Sequence, residues 1–211
     1  MSAPTRRLVL SACLLPAACA APGPRPVDFS EAPRNFGTGD YERVRNAWTR
    51  HTKVVKDVGT VIEVWAILKS WEFRQAYVER YARVYNTSET EKKSLYAAQL
   101  ETSRHTYEFH VVAQMTDWKW NDLERPASPW RLTLADASGA EVMARTIEVL
   151  KLPELYESQL FPDHTAFSRT YLVRFDRAEA ETAGLTGARS GQLLLRALSP
   201  LASAEMVWQA R

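Results

Sequence analysis

Apolar positions recur along this chain with two different periods. Asp40 can cap a short helix that carries Tyr41, Val44 and Trp48 on one face. Val54 and Val55 then lead into Asp57-Val58-Gly59, a turn. Thr60 to Leu68 is β-branched and aromatic, and apolar on both faces except at Glu63, the pattern of a central strand covered from both sides. Ser70 can cap a helix with Phe73, Tyr77, Tyr81 and Val84 or Tyr85 on one stripe, which Asn86-Thr87 breaks. Ser88 and Glu91 have capping-box spacing and open a second helix through Lys93, Leu95, Ala98 and Thr102. The spacing predicts a helical hairpin over about 70–105, with a tyrosine-rich stripe that needs a surface to cover.

From Tyr107 the period is two. Tyr107, Phe109, Val111, Ala113 and Met115 fall on one side, with Glu108, His110 and Gln114 on the other. Trp130 to Leu134 alternates, Asp136-Ala137-Ser138-Gly139 is a hairpin turn, and Val142 to Val149 is expected to be one returning strand. Tyr171, Val173 and Phe175, then Leu193, Leu195 and Ala197, then Met206 and Trp208 complete seven or eight strands, with no internal repeat. Short antiparallel strands between turns predict a mainly β domain, an immunoglobulin-like antiparallel β-sandwich carrying the helical hairpin. A closed barrel is the alternative. Trp65, Trp130, Trp208 and the tyrosine stripe are expected in the core.

The chain opens on a different pattern. Arg6 and Arg7 precede the apolar run Leu8 to Leu15, and the small residues Pro16-Ala17-Ala18-Cys19-Ala20-Ala21 follow. A positive end, an apolar middle and a small-residue exit are the parts of a secretory signal, here residues 1–19. The apolar part falls far short of the ~20 residues that span a bilayer. Small residues before a cysteine resemble the lipobox of bacterial lipoproteins, in which the cysteine becomes the first mature residue and carries the lipid. Leu10-Ser11-Ala12-Cys13 has the usual residue types, whereas Pro16-Ala17-Ala18-Cys19 has the better-sized apolar region but Pro16 where Leu is usual. The resemblance implies a lipid anchor at Cys19. Ordinary cleavage after Ala20, giving a soluble periplasmic or secreted protein, is the alternative. Ala20 rather than Asp after the anchor resembles the outer-membrane class. Residues 20–39 hold Pro22, Pro24, Pro26 and Pro33 with Gly23, Gly37 and Gly39, and are expected to form an extended tether before a single domain over 40–211. The layout is similar to uncharacterised bacterial envelope lipoproteins, a similarity that implies a place and no activity.

Composition narrows the function. Of 27 basic residues the signal holds Arg6 and Arg7 and none of the 25 acidic ones, so the exported part is balanced, 25 against 25. A balanced domain lacks the basic field that non-specific nucleic-acid binding or a polybasic membrane patch requires. The two cysteines, Cys13 and Cys19, lie in the signal, which leaves the domain no disulfide, thiolate ligand or cysteine nucleophile. A domain of about 170 residues is stabilised instead by its apolar core.

Candidate chemistry is sparse. His51, His105, His110 and His164 lack helical zinc spacing, and no cofactor or metal is expected. Gly187-Ala188-Arg189-Ser190-Gly191 misses the Gly-x-Ser-x-Gly pattern by one place and reads as a loop. Asp117, Asn121 and Asp122 have the oxygens that calcium needs, but their segment lacks the glycine of a calcium loop, and Asp and Asn also make local turns. Trp118 and Trp120 share that segment and would face the same way on an extended chain. Trp118, Trp120, Asn121 and Asp122 are therefore the candidate binding loop, the tryptophans stacking on a sugar or filling a partner's pocket while Asn121 and Asp122 fix orientation. The expected function is a non-catalytic binding or scaffold module of the envelope, held to the membrane by its lipid, with an envelope protein or polysaccharide as partner. An envelope hydrolase using acids and histidines, or a carbohydrate-binding module, are the alternatives.

Overall fold

A computed structural model describes residues 25–37, 39–57, 59–151, 160–161 and 165–211. Residues 1–24, on which the expected signal, Cys13 and Cys19 fall, and His164 lie outside the described residues.

The described chain is mixed α/β, with two antiparallel sheets and four helices. Helix α1 is Asp40–Trp48, α2 is Trp71–Tyr85, α3 is Glu89–His105 and α4 is Arg177–Thr182. The strands are β1 (Thr49–Lys56), β2 (Gly59–Leu68), β3 (Thr106–Gln114), β4 (Arg131–Asp136), β5 (Glu141–Met143), β6 (Thr146–Val149), β7 (Ser168–Asp176), β8 (Gln192–Leu198) and β9 (Ser203–Gln209). They form a five-stranded sheet in the order β1-β2-β3-β7-β6 and a four-stranded sheet in the order β5-β4-β8-β9. One core lies between them, where Phe109 packs edge-on to Phe175 and against Trp208, with Leu134, Leu193 and Leu195. No described helix is long and apolar enough to cross a membrane.

Residues 142–149 do not form the single returning strand expected of them but the two strands β5 and β6. They turn a corner between sheets: Ala144 N donates to Leu132 O at 2.9 Å in one sheet, and Arg145 N donates to Arg174 O at 2.8 Å in the other. The opposite edges, β1 and β9, are joined through side chains. Arg50 Nε donates to Val207 O at 2.6 Å, and Trp208 Nε1 to Trp48 O at 2.8 Å. The extended segment 25–37 lies along this seam and is docked rather than free. Val27 is buried, its N donates to Gln209 O at 2.8 Å, and Arg34 and Gln75 tie the segment to α2.

The helix starts follow from their caps. Ser70 Oγ accepts from Phe73 N, and Ser88 with Glu91 closes a full capping box. What holds the hairpin down differs from the expected tyrosine stripe. Phe73 is buried, but Tyr77, Tyr81 and Tyr85 are half-buried and pack mostly ring on ring along α2. Trp65 is also displaced from the expected core. It pairs with Val112 and shares the outer face of its sheet, half-buried under His51 at 4.7 Å.

The firm attachment is electrostatic. Glu108 is buried on the outer face of β3, where it pairs with Lys69 at the foot of α2, with Arg74 Nη2 at 3.5 Å and with Arg174 Nε at 2.8 Å. Burial alone would raise the Glu108 carboxyl, but Lys69 and Arg74, with Arg174, outweigh it and hold it at about 2. Burial brings Arg74 down to about 10 against the pull of Glu108. Arg74 is held further by bonds to Lys69 O at 2.8 Å and Gln99 Oε1 at 2.7 Å, which tie α3 to the same centre. Glu108→Gln is expected to cost about 3–5 kcal/mol in urea unfolding, because it strands two buried cations. A carboxyl that titrates lower when folded than when unfolded contributes stability above its unfolded value, near 4.3, and loses it as pH falls toward 2. The wild-type loss of stability between those pH values is expected to be steeper than that of the Gln variant.

Candidate functional site

Strand pairing gathers four connections at one end of the molecule. Lys56 opposes Gly59 at the β1–β2 turn, Gln114 opposes Ser168 at the end of β3 and start of β7, and Leu198 opposes both Arg131 and Ser203. The long connection from β3 to β4 crosses this end. Met115 is its first core residue, after which Asp117 accepts from Lys119 N and starts a 3-10 turn over Trp118–Trp120, and the chain returns to the core at Leu123 and Trp130.

The turn ends on a buried polar clasp. Asn121 Nδ2 donates to Ala113 O at 2.7 Å. The Tyr171 hydroxyl lies 2.8 Å from Asn121 O and 2.9 Å from Asn121 Oδ1, and so binds Asn121 from the other side. Burial, with the Glu124 carboxylate nearby, pushes the Tyr171 hydroxyl up to about 12, which keeps it a donor at any physiological pH. Asp122 is buried too, and its Oδ1 accepts from Ser128 Oγ at 3.0 Å. Asn121 and Asp122, expected to fix a ligand's orientation, are both buried, and the hydrogen bonds named here hold the loop. Asp117 is exposed and bonded to Lys119 at 2.8 Å, so these three oxygen-bearing residues serve turns and do not converge on a cation.

The tryptophans point outward, Trp118 being 70 % exposed and Trp120 40 %. The tight turn sends them to different sides, instead of the same side as an extended chain would. Trp118 lies under the Arg169 guanidinium at 5.8 Å, while Trp120 is capped by Lys119 at 5.2 Å and lines an apolar pocket of about 260 Å³. Val61, Met115, Trp130 and Leu201 form other walls of this pocket. Trp130 is buried, and its indole N–H has no acceptor among the described residues.

Three exposed residues that the sequence reading missed complete the patch: Phe167 (79 %), Val55 (59 %) and Leu201 (40 %). Five of the eight large apolar side chains exposed among the described residues thus sit at this end, four from three separate connections and Val55 from the end of β1. Their sequence signal is a large apolar residue isolated among turn formers, as in Thr165-Ala166-Phe167-Ser168 and Ser199-Pro200-Leu201.

The three described histidines lie apart. His51 pairs with Glu63 at 2.9 Å, His105 with Glu101 at 2.9 Å on the surface of α3, and His110 is buried and stacked on Phe161 at 3.8 Å. Among the described residues no group of three or more His, Cys, Asp or Glu is arranged as metal ligands. No protein-family model, curated protein or solved structure matches this chain.

Asn121→Ala removes the amide that donates to the buried Ala113 carbonyl and accepts from Tyr171, leaving Tyr171 only the backbone carbonyl of residue 121, and is expected to cost about 1–3 kcal/mol in chemical unfolding. Trp118→Ala, by contrast, should change stability by no more than about 0.5 kcal/mol. Equal costs for the two substitutions would mean that Trp118 is a core residue.

Proposed function

We propose that this chain is an envelope lipoprotein, anchored through Cys19, whose domain is a non-catalytic binding module that presents its aromatic loop end to the envelope. The observation that carries this reading is the exposure of five large apolar side chains, from three connections and the end of β1, on one end of the domain. Scattered single apolar residues are normal on a protein surface, whereas contiguous ones mark interaction sites. The loop is also built to keep them out, since its polar residues Asn121 and Asp122 are the ones buried.

The topology supports an immunoglobulin-like build. With β1 and β5 set aside, β2-β3-β7-β6 and β4-β8-β9 follow the A-B-E-D and C-F-G order of that sandwich, every pair antiparallel. The helical hairpin occupies the A–B connection. The aromatic end then corresponds to the end at which the B–C and F–G loops of variable domains bind, a fold-level analogy that raises the prior for binding without naming a partner. A flat aromatic strip for sugar stacking is not favoured, because the 3-10 turn separates the two tryptophan faces.

A photo-crosslinking residue placed at 118, at 167 or at the exposed Val84 of α2 tests this reading in intact cells. Positions 118 and 167 are expected to label envelope material heavily and position 84 little, with mature chains carrying lipid on Cys19 by mass spectrometry. Equal labelling from all three positions would contradict a dedicated binding end.

A further inference from the structure

We infer that the partner of the aromatic end is the bilayer interface itself, in the membrane that holds the Cys19 lipid. This rests on the binding-module reading above and adds to it the identity of what is bound.

The direction of the chain carries the first part of the argument. Val27 pairs with Ala210 in parallel, as an extension of β9. Strand β9 itself begins at Ser203, at the aromatic end, and runs away from it. A segment parallel to β9 therefore enters from the aromatic end. Arg25, whose carbonyl accepts from Arg50 Nη2 at 2.9 Å, sits near the level of Val207, whose carbonyl accepts from the same guanidinium. From Val207 back to Ser203 is about 13 Å of strand. From Arg25 back to Cys19 is at most about 20 Å of chain. A lipid on Cys19 is thus within reach of the end that carries Trp118, and the direction at Arg25 points that way.

The second part is the composition of the patch. Trp118, Trp120, Phe167 and Leu201 occupy loop tips, with Val55 beside them near the end of β1, and Trp is the side chain that prefers the headgroup level of a bilayer. Lys119 and Arg169 lie against the tryptophan rings, with long stems that keep their charges in water while the rings enter. Their charges are balanced locally, Lys119 by Asp117 and Arg169 by Glu124 at 3.6 Å. Docking is therefore apolar and needs no anionic lipid. The lipid supplies the anchor, and the loop tips supply a second point of attachment that fixes which end of the domain faces the bilayer.

The acylated full-length mature protein, reconstituted in vesicles of zwitterionic phosphatidylcholine brominated on its acyl chains, tests this. Bromine quenches only tryptophans that touch the acyl region. The wild type is expected to be quenched, and the Trp118→Phe/Trp120→Phe variant to lose most of that quenching while remaining vesicle-bound through its lipid. Fluorescence that brominated lipid does not affect would overturn the inference. So would quenching that persists in the double variant, because it would place the other tryptophans at the membrane. If quenching is absent while position 118 still crosslinks to an envelope protein or polysaccharide in cells, bilayer docking fails and the binding-module reading survives.

Discussion

The candidate site depends on one inverted arrangement, a loop that buries its amide and exposes its tryptophans. Asn121 is clasped between the Ala113 carbonyl and the Tyr171 hydroxyl, one from β3 and one from β7. Both partners belong to β3 and β7 inside the five-stranded sheet, so the loop is fixed to strands paired on both sides. An amide buried with its bonds made is stable there, and the same amide with a partner removed is not. The loop therefore cannot roll its tryptophans into the core without uncovering these bonds. Exposure of Trp118 and Trp120 is a consequence of Asn121 and not an accident of a loose loop.

The rest of the molecule keeps the two ends separate. Strand β3 is buried on both faces, Phe109 and Val111 facing the core between sheets and Glu108 and His110 facing the layer that covers the outer side. At one end of β3 the Glu108 cluster fastens the helical hairpin; at the other the Asn121 clasp fastens the aromatic loop. The helices thus brace the sheet without approaching the loop tips. Segment 25–37 closes the β1–β9 seam and sets the direction from which the chain's beginning arrives.

Local patterns in the sequence carried much of this, and long-range pairing carried the rest. The caps at Ser70 and Ser88, the two-residue period from Tyr107 and the turn at Asp136 to Gly139 act over a few residues, and helices and strands lie where those patterns put them. The corner at Ala144 and Arg145 carries no turn-forming residue, and only pairing with Leu132 on one side and Arg174 on the other shows where the strand breaks. Trp65 looked like a core residue because hydrophobicity does not tell which face of a two-sided sheet it joins; register decides that. The sequence placed Glu108 on the polar side of its strand but not its burial, because its three cations come from distant positions. At the site, the residues Trp118 to Asp122 were legible as a group but their roles were not, since a tight turn and a buried hydroxyl from β7 decide which side chains face out. Phe167, Val55 and Leu201 join the patch only through the fold.

The most direct measurement of the central claim is hydroxyl-radical footprinting of the purified protein in solution, read residue by residue by mass spectrometry. Trp118 and Phe167 are predicted to oxidise many times faster than the core tryptophans Trp48 and Trp208, with Trp120 between them. Protection of Trp118 and Phe167 equal to that of Trp48 and Trp208 would contradict the account, because the loop end would then be a plug of the core and not a surface.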